Sequence, residues 1–218
     1  MADDWVNNYA VPGVVAGVQA SESVPATNSV TPPSTSLPTP QEAAAKALAI
    51  AKAWADYGLR STPGETDTDM GGEIDKIENL WQLHDQPWCA MFACYCWAKA
   101  ICEDEEPHFD ELRGALQVLG EHFFTPSPSC EAMKLDAQRE GRWFDVRQAR
   151  PGDLILYCWD GSGVAQHVGL FSRALGNGLY EAVEGNTTQS GTAMNTHGVY
   201  VRTRREGVIL GIIAPGSK

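Results

Sequence analysis

With 218 residues, the chain has room for one ordinary domain and an extension, and its 43% apolar content is enough for a packed core. Its formal charge of −12 and isoelectric point near 4.7 leave no basic stripe to neutralise phosphates, which argues against nucleic acid as a partner. No apolar run approaches the length of a membrane-spanning helix.

The chain opens Met1-Ala2-Asp3-Asp4, acidic where an export signal would be basic, and the apolar stretch from Val11 to Val18 is short and carries Pro12 and Gly13. The expectation is a protein made in the cytoplasm without a signal peptide. Residues 1–20 read as a short N-terminal segment, a docking tag or a frayed end. Between Ser21 and Pro40, fourteen of twenty residues are Ser, Thr or Pro and Glu22 is the one charge, so residues 21–40 read as a linker.

Residues 41–218 are expected to form the domain. Glu42 to Tyr57 is rich in Ala, Leu and Lys with no Gly or Pro, which predicts a helix ending near Gly58. A loop over 61–72 leads to a second helix, Ile74 to Leu83. Pro87 opens a third, Trp88 to Ile101, apolar nearly all round and therefore central. The acidic run Glu103 to Glu106 reads as a solvated helix end or loop. From Arg150 the texture changes to short strands separated by Gly-rich turns: Asp153–Trp159, Gln166–Phe171, Leu179–Val183, Gly198–Arg202 and Val208–Ile213. Helices first and antiparallel strands afterwards give an α+β domain, N-terminal helices packed on a C-terminal antiparallel sheet.

Six cysteines stand at 89, 94, 96, 102, 130 and 158, in a spacing that fits no zinc ribbon or finger. Cys89 alone is expected at a helix start, where unpaired amides and the helix dipole favour a thiolate. That makes it the candidate nucleophile, against the alternative of a buried structural thiol. His167 lies on a strand whose alternation groups it with Gly169 and Phe171, and an imidazole is the natural proton partner for a thiol. The alternative is a structural histidine. His84, His108, His122 and His197 default to surface or structural roles. Glu184 and Asn186 follow on the next strand, where an antiparallel neighbour would bring Glu184 beside His167 to fix its tautomer. Gly185 and Asn186 supplying only a turn is the competing reading. Most tryptophans are expected in the core, with one or two lining a groove.

Pro87-Trp-Cys-Ala-Met-Phe92, Arg150-Pro-Gly-Asp153, Trp159 to Leu170 and Val183-Glu-Gly-Asn-Thr187 resemble the successive blocks of the CHAP domain, the cysteine, histidine-dependent amidohydrolase/peptidase family close to the NlpC/P60 hydrolases. The resemblance covers roughly residues 41 to 215, and Gly198 to Ile212 is similar to the family's last strands. It implies a papain-like fold and thiol chemistry on peptidoglycan: Cys89 as nucleophile, His167 as base, Glu184 as its orienting residue and Asn186 as a further polar residue. The Pro-Gly-Asp at 151–153 matches a structural turn. Phe92-Ala-Cys-Tyr-Cys-Trp97 departs from the aliphatic residues more usual there. The oxyanion donor implied is the Cys89 backbone N–H, with Gln86 a source for the second. No cofactor is required for this chemistry.

The expected activity is cleavage of an amide bond in the stem peptide, as an N-acetylmuramoyl-L-alanine amidase or an endopeptidase. The setting is an injected antibacterial effector, with an immunity protein and delivery machinery as partners, or a phage lysin. The protein then acts on the wall or periplasm of a target bacterium. Rival readings are a non-catalytic wall-binding module of the same fold and a cysteine protease acting on a protein.

A second motif spans Asp67 to Glu78, which fits the twelve-residue calcium loop with Asp67 at position 1, Asp69 at 3, Gly72 at 6, Asp75 at 9 and Glu78 at 12. Gly71 at position 5 removes one side-chain oxygen. The alternative to this structural calcium is the resembled family's Gly-rich loop, with acidic residues starting the next helix.

Overall fold

In the computed structural model the described residues are 36–60, 72–84, 86–188 and 197–216, and all of them but Ser36 belong to a compact unit over Leu37–Lys218. It is an α+β arrangement, with α-helices over the first part and an antiparallel sheet over the second.

Helix α1 runs Pro40–Tyr57. Thr39 and Glu42 cap it reciprocally, Pro40 supplies the preset φ of a first turn, and Gly58 ends it in the left-handed conformation at φ 82°. The last residues of the Ser/Thr/Pro stretch thus belong to the domain as the start of this helix. Its buried face is Ala43, Ala44, Ala47, Leu48 and Ala51, small side chains that let α3 approach closely. Helix α2, Glu73–Asn79, stops four residues short of the expected end, because Gln82 takes a positive φ of 56° and the chain turns there. Helix α3, Cys89–Ile101, buries eleven of its thirteen residues and is the centre of the core.

Two helices were not anticipated, α4 over Phe109–His122 and α5 over Cys130–Arg139. Gly114 and Gly120 interrupt the pattern of α4, and α5 is short and largely polar, burying Cys130, Met133, Lys134 and Ala137. The acidic run 103–106 is exposed beyond the end of α3, as expected.

The sheet holds β1 (Trp143–Phe144), β2 (Leu154–Tyr157), β3 (His167–Gly176), β4 (Leu179–Thr187), β5 (Gly198–Arg205) and β6 (Ile209–Ile213), in the order β1-β6-β2-β3-β4-β5 with every pair antiparallel. The β3–β4 hairpin turns at Asn177-Gly178, both at positive φ, which suits the right-handed twist of the strands it joins. Val168, Leu170, Val183, Leu154, Leu156 and Ile213 share the main core with α3. Ile155, Tyr157, Phe171, Tyr180, Ala182 and Ile212 form a second cluster, as strand alternation requires. Gly185 lets β4 close on α3, since a Cβ there would stand 2.7 Å from the Phe92 ring. Among the described residues no helix is long and apolar enough to cross a membrane.

Candidate active site

Cys89 is the first residue of α3, so its N–H lies in the turn that has no intrahelical acceptor. The residue is only 4% exposed. Behind it Trp88 is fully buried and meets Phe92 edge-on at 6.0 Å, which fixes how the chain enters the helix.

His167 is the first residue of β3, paired across the sheet with Tyr157 of β2. Its Nε2 lies 3.0 Å from Glu184 Oε2, which leaves Nδ1 for the side of the Cys89 sulfur, whose charge acts on the ring. Tyr157 stacks on the imidazole at 5.8 Å and Trp159 tilts against it at 6.0 Å. The structure therefore brings together the three residues expected to meet. The space beside the imidazole that Gly169 leaves is filled by Glu184: a Cβ on Gly169 would stand 2.8 Å from its Cγ.

Glu184 is fully buried and has a second partner that the sequence reading did not name. Arg204 of β5 donates Nε to Oε1 at 2.9 Å and Nη2 to Oε2 at 2.5 Å, a bidentate grip, and Nη2 also reaches Thr187 Oγ1 at 3.3 Å. Its guanidinium lies over the Trp159 ring at 4.8 Å. A buried carboxylate beside a histidine calls for a further cation. That need, with the arginines at 202 and 204 on the facing strand, was the signal available in the sequence.

The charges follow from this packing. Contact with Cys130, the His167 charge and the Ala90 N–H together overcome burial and hold the Cys89 thiol well below its usual range. Burial works against a charged His167, but the Cys89 thiolate and Glu184 outweigh it and lift the imidazole to about 9. Burial likewise disfavours a charged Glu184, and Arg204 and His167 reverse the balance, bringing it down to about 2. These directions favour a thiolate–imidazolium pair, backed by a carboxylate–guanidinium pair. Three thiols of the core run opposite. Burial pushes Cys94 up to about 12 and raises Cys96 and Cys102.

One expectation is corrected here. Cys89 is not alone in opening a helix: Cys130 is the first residue of α5, after the Ser129 cap, and its sulfur lies 3.6 Å from that of Cys89. The placement was missed because α5 was. Contact with the Cys89 thiolate and burial hold the Cys130 thiol well above its ordinary range.

An open cleft of about 380 Å³ borders this set, lined by Trp159, His167, Asn186, Thr187, Thr188, His197 and Arg204. Asn186 is thus at the cleft, and its φ of 52° fits the turn reading as well. His197, expected in a surface or structural role, also lines it, and Trp159 is the exposed tryptophan among the described residues. Gln86 does not offer its amide to the site. Its Nε2 donates to the His84 carbonyl at 3.2 Å. The Pro-Gly-Asp turn is structural: Gly152 sits at φ 94° against the Ala44 carbonyl, and Asp153 accepts from the Arg150 N–H at 2.7 Å.

Of the calcium motif, Asp67 and Asp69 lie outside the described residues. Asp75 is in α2, and the buried Glu78 accepts the Gln86 N–H at 3.0 Å, bracing the approach to α3. Among the described residues no group of three or more His, Cys, Asp or Glu is gathered as a metal site.

Comparison with models of known families, with curated proteins and with solved structures finds no match to this chain.

Proposed function

We propose that the chain is a papain-like cysteine hydrolase of the CHAP and NlpC/P60 kind, cutting an amide bond in the stem peptide of peptidoglycan. The observation that carries the reading is the sequence of contacts Cys89–His167–Glu184, with the sulfur at the tip of a buried helix and the imidazole held from behind. Thiolate, base and orienting group are the parts that acyl transfer through sulfur needs. The resemblance of the four sequence blocks supplies the substrate class.

The Cys89 thiolate attacks the amide carbonyl, and the Cys89 N–H at the helix tip stabilises the oxygen anion that forms. His167, already an imidazolium, gives its proton to the leaving amine and becomes the base. It then takes a proton from water, which attacks the thioester and frees the acyl group. Glu184, locked by Arg204, keeps one ring nitrogen occupied so that the other faces sulfur. The cleft beside His167 and Trp159 is where the substrate lies.

Digestion of purified peptidoglycan by the wild type and by Cys89→Ala, with mass analysis of released muropeptides, tests this. New termini at one stem-peptide bond, present only with the wild type, are expected and identify the bond. Equal release by both proteins would end the hydrolase reading. Turnover of a denatured protein but not of peptidoglycan would move the substrate class.

A further inference from the structure

The Cys89 sulfur faces a second sulfur at 3.6 Å, and the mechanism above leaves that second thiol without a task. The other thiols with a named partner are turned elsewhere: Cys94 toward the Ser127 carbonyl, Cys102 toward the Ala98 carbonyl and Cys158 toward Asp160 Oδ1. Cys130 is also held firmly where it stands. Its helix α5 is tied to the loop that leads into His167, by Glu131 Oε2 accepting the Ala165 N–H at 2.6 Å and Lys134 Nζ donating to the Gly163 carbonyl at 2.6 Å. A disulfide needs sulfurs about 2.05 Å apart, so rotation of two buried side chains by roughly an ångström and a half closes the gap.

We propose that Cys130 is the resolving cysteine of Cys89, closing a disulfide over the nucleophile whenever a peroxide oxidises it. The inference rests on the reading of Cys89 as a reactive thiolate. In the first step the Cys89 sulfur attacks one oxygen of hydrogen peroxide. The O–O bond breaks, Cys89 becomes a sulfenic acid, and the departing hydroxide takes the His167 proton to give water. In the second step the Cys130 sulfur attacks the Cys89 sulfur, the S–O bond breaks, and hydroxide leaves with the Cys130 proton as a second water. Two sulfurs lose one electron each, and the peroxide gains both. An external thiol reverses the change, whereas further oxidation of a lone sulfenic acid does not reverse. The two thiols are polarised for these roles: a thiolate attacks the peroxide, and a neutral neighbour at contact distance waits for the product.

The test treats the full chain with hydrogen peroxide and reads intact mass, peptide maps and peptidoglycan lysis, before and after dithiothreitol. The wild type is expected to become lighter by two hydrogens, to yield a peptide joining Cys89 to Cys130, and to lose lysis that dithiothreitol restores. In Cys130→Ser and Cys130→Ala, Cys89 is expected to gain two or three oxygens, with lysis not restored. Wild type in which Cys89 gains those oxygens while Cys130 stays unmodified would overturn the proposal, and this readout needs no variant to fold. If untreated wild type and Cys89→Ala lyse equally, the hydrolase reading fails, and the cross-link still stands or falls on mass alone.

Discussion

Arg204 holds both carboxylate oxygens of Glu184, Nε to Oε1 at 2.9 Å and Nη2 to Oε2 at 2.5 Å, while the imidazole of His167 shares Oε2 from the other side. The carboxylate cannot turn without breaking a charge-assisted bond. Rigidity of the His167 imidazole is therefore set two side-chain contacts away, on β5, by a side chain with no place in the proposed bond-breaking steps.

Replacing Arg204 tests that positioning role. Arg204→Ala leaves Glu184 buried with His167 alone, and the loss of one partner from a largely buried pair is expected to cost roughly 2–3 kcal/mol of stability, read by denaturant unfolding. The alkaline limb of the lysis pH profile should also move, because the His167–Glu184 contact loosens. Arg204→Lys keeps the charge but loses the fork, and should recover stability only in part. A variant as stable as wild type with an unmoved profile would show that the grip is incidental.

Gly169→Ala addresses the same carboxylate from β3. The added methyl would lie 2.8 Å from Glu184 Cγ and 3.0 Å from the Val183 carbonyl, and backbone cannot yield as a surface side chain does. Overpacking of this kind costs about 1–3 kcal/mol. Lysis should fall further than the stability loss accounts for, since the cheapest relief is to push Glu184 off His167. Unchanged turnover at temperatures where the variant is folded would argue that Glu184 does not set the base.

How much of this was legible in the sequence depends on how local each signal is. The Cys89 helix start, the His167 strand and the Glu184 strand each carry their own pattern of turn residues and alternation, and antiparallel neighbours made the His167–Glu184 contact foreseeable. Arg204 and Cys130 were not, for different reasons. Arg204 lies diagonally across a strand pair joined by a long connection, so its register against Glu184 is a tertiary fact. Cys130 depends on α5, a short polar helix whose place is fixed by bonds from Glu131 and Lys134 to a loop some thirty residues on. Trp159 stood in a recognisable block, but its exposure follows from the stacking of Tyr157 beneath it at 5.3 Å.

Alkylation gives a third prediction that needs no substrate. Thiolates react and thiols do not, so limiting iodoacetamide at neutral pH should label Cys89 ahead of Cys94, which is pushed up to about 12, and of Cys96, which burial raises too. Peptide mapping of the singly labelled protein reads the order directly. In His167→Ala the imidazolium that favours the Cys89 anion is gone, and the preference for Cys89 should shrink. Labelling that begins at Cys94 or Cys96 in the wild type would contradict the charge arrangement.

The pH dependence has a sign that the packing dictates. His167 is raised to about 9 from an ordinary value near ~6.5, so its contribution to stability is complete below about 6.5 and is lost as pH rises through about 9. Glu184 is depressed to about 2 from an ordinary value near ~4.3, so its contribution is present above about 4.3 and lost as pH falls through about 2. Between these ranges both ion pairs are intact, and unfolding free energy measured against pH should show a plateau there. Turnover should follow a similar window for a chemical reason: the amine leaves only while His167 holds a proton to give. Measured kcat/KM is therefore expected to fall on an alkaline limb near 9. Glu184→Gln removes the charge that helps raise the imidazole, and should draw that limb toward neutrality. A wild-type limb already at the ordinary imidazole value would mean that the thiolate–imidazolium pair does not form.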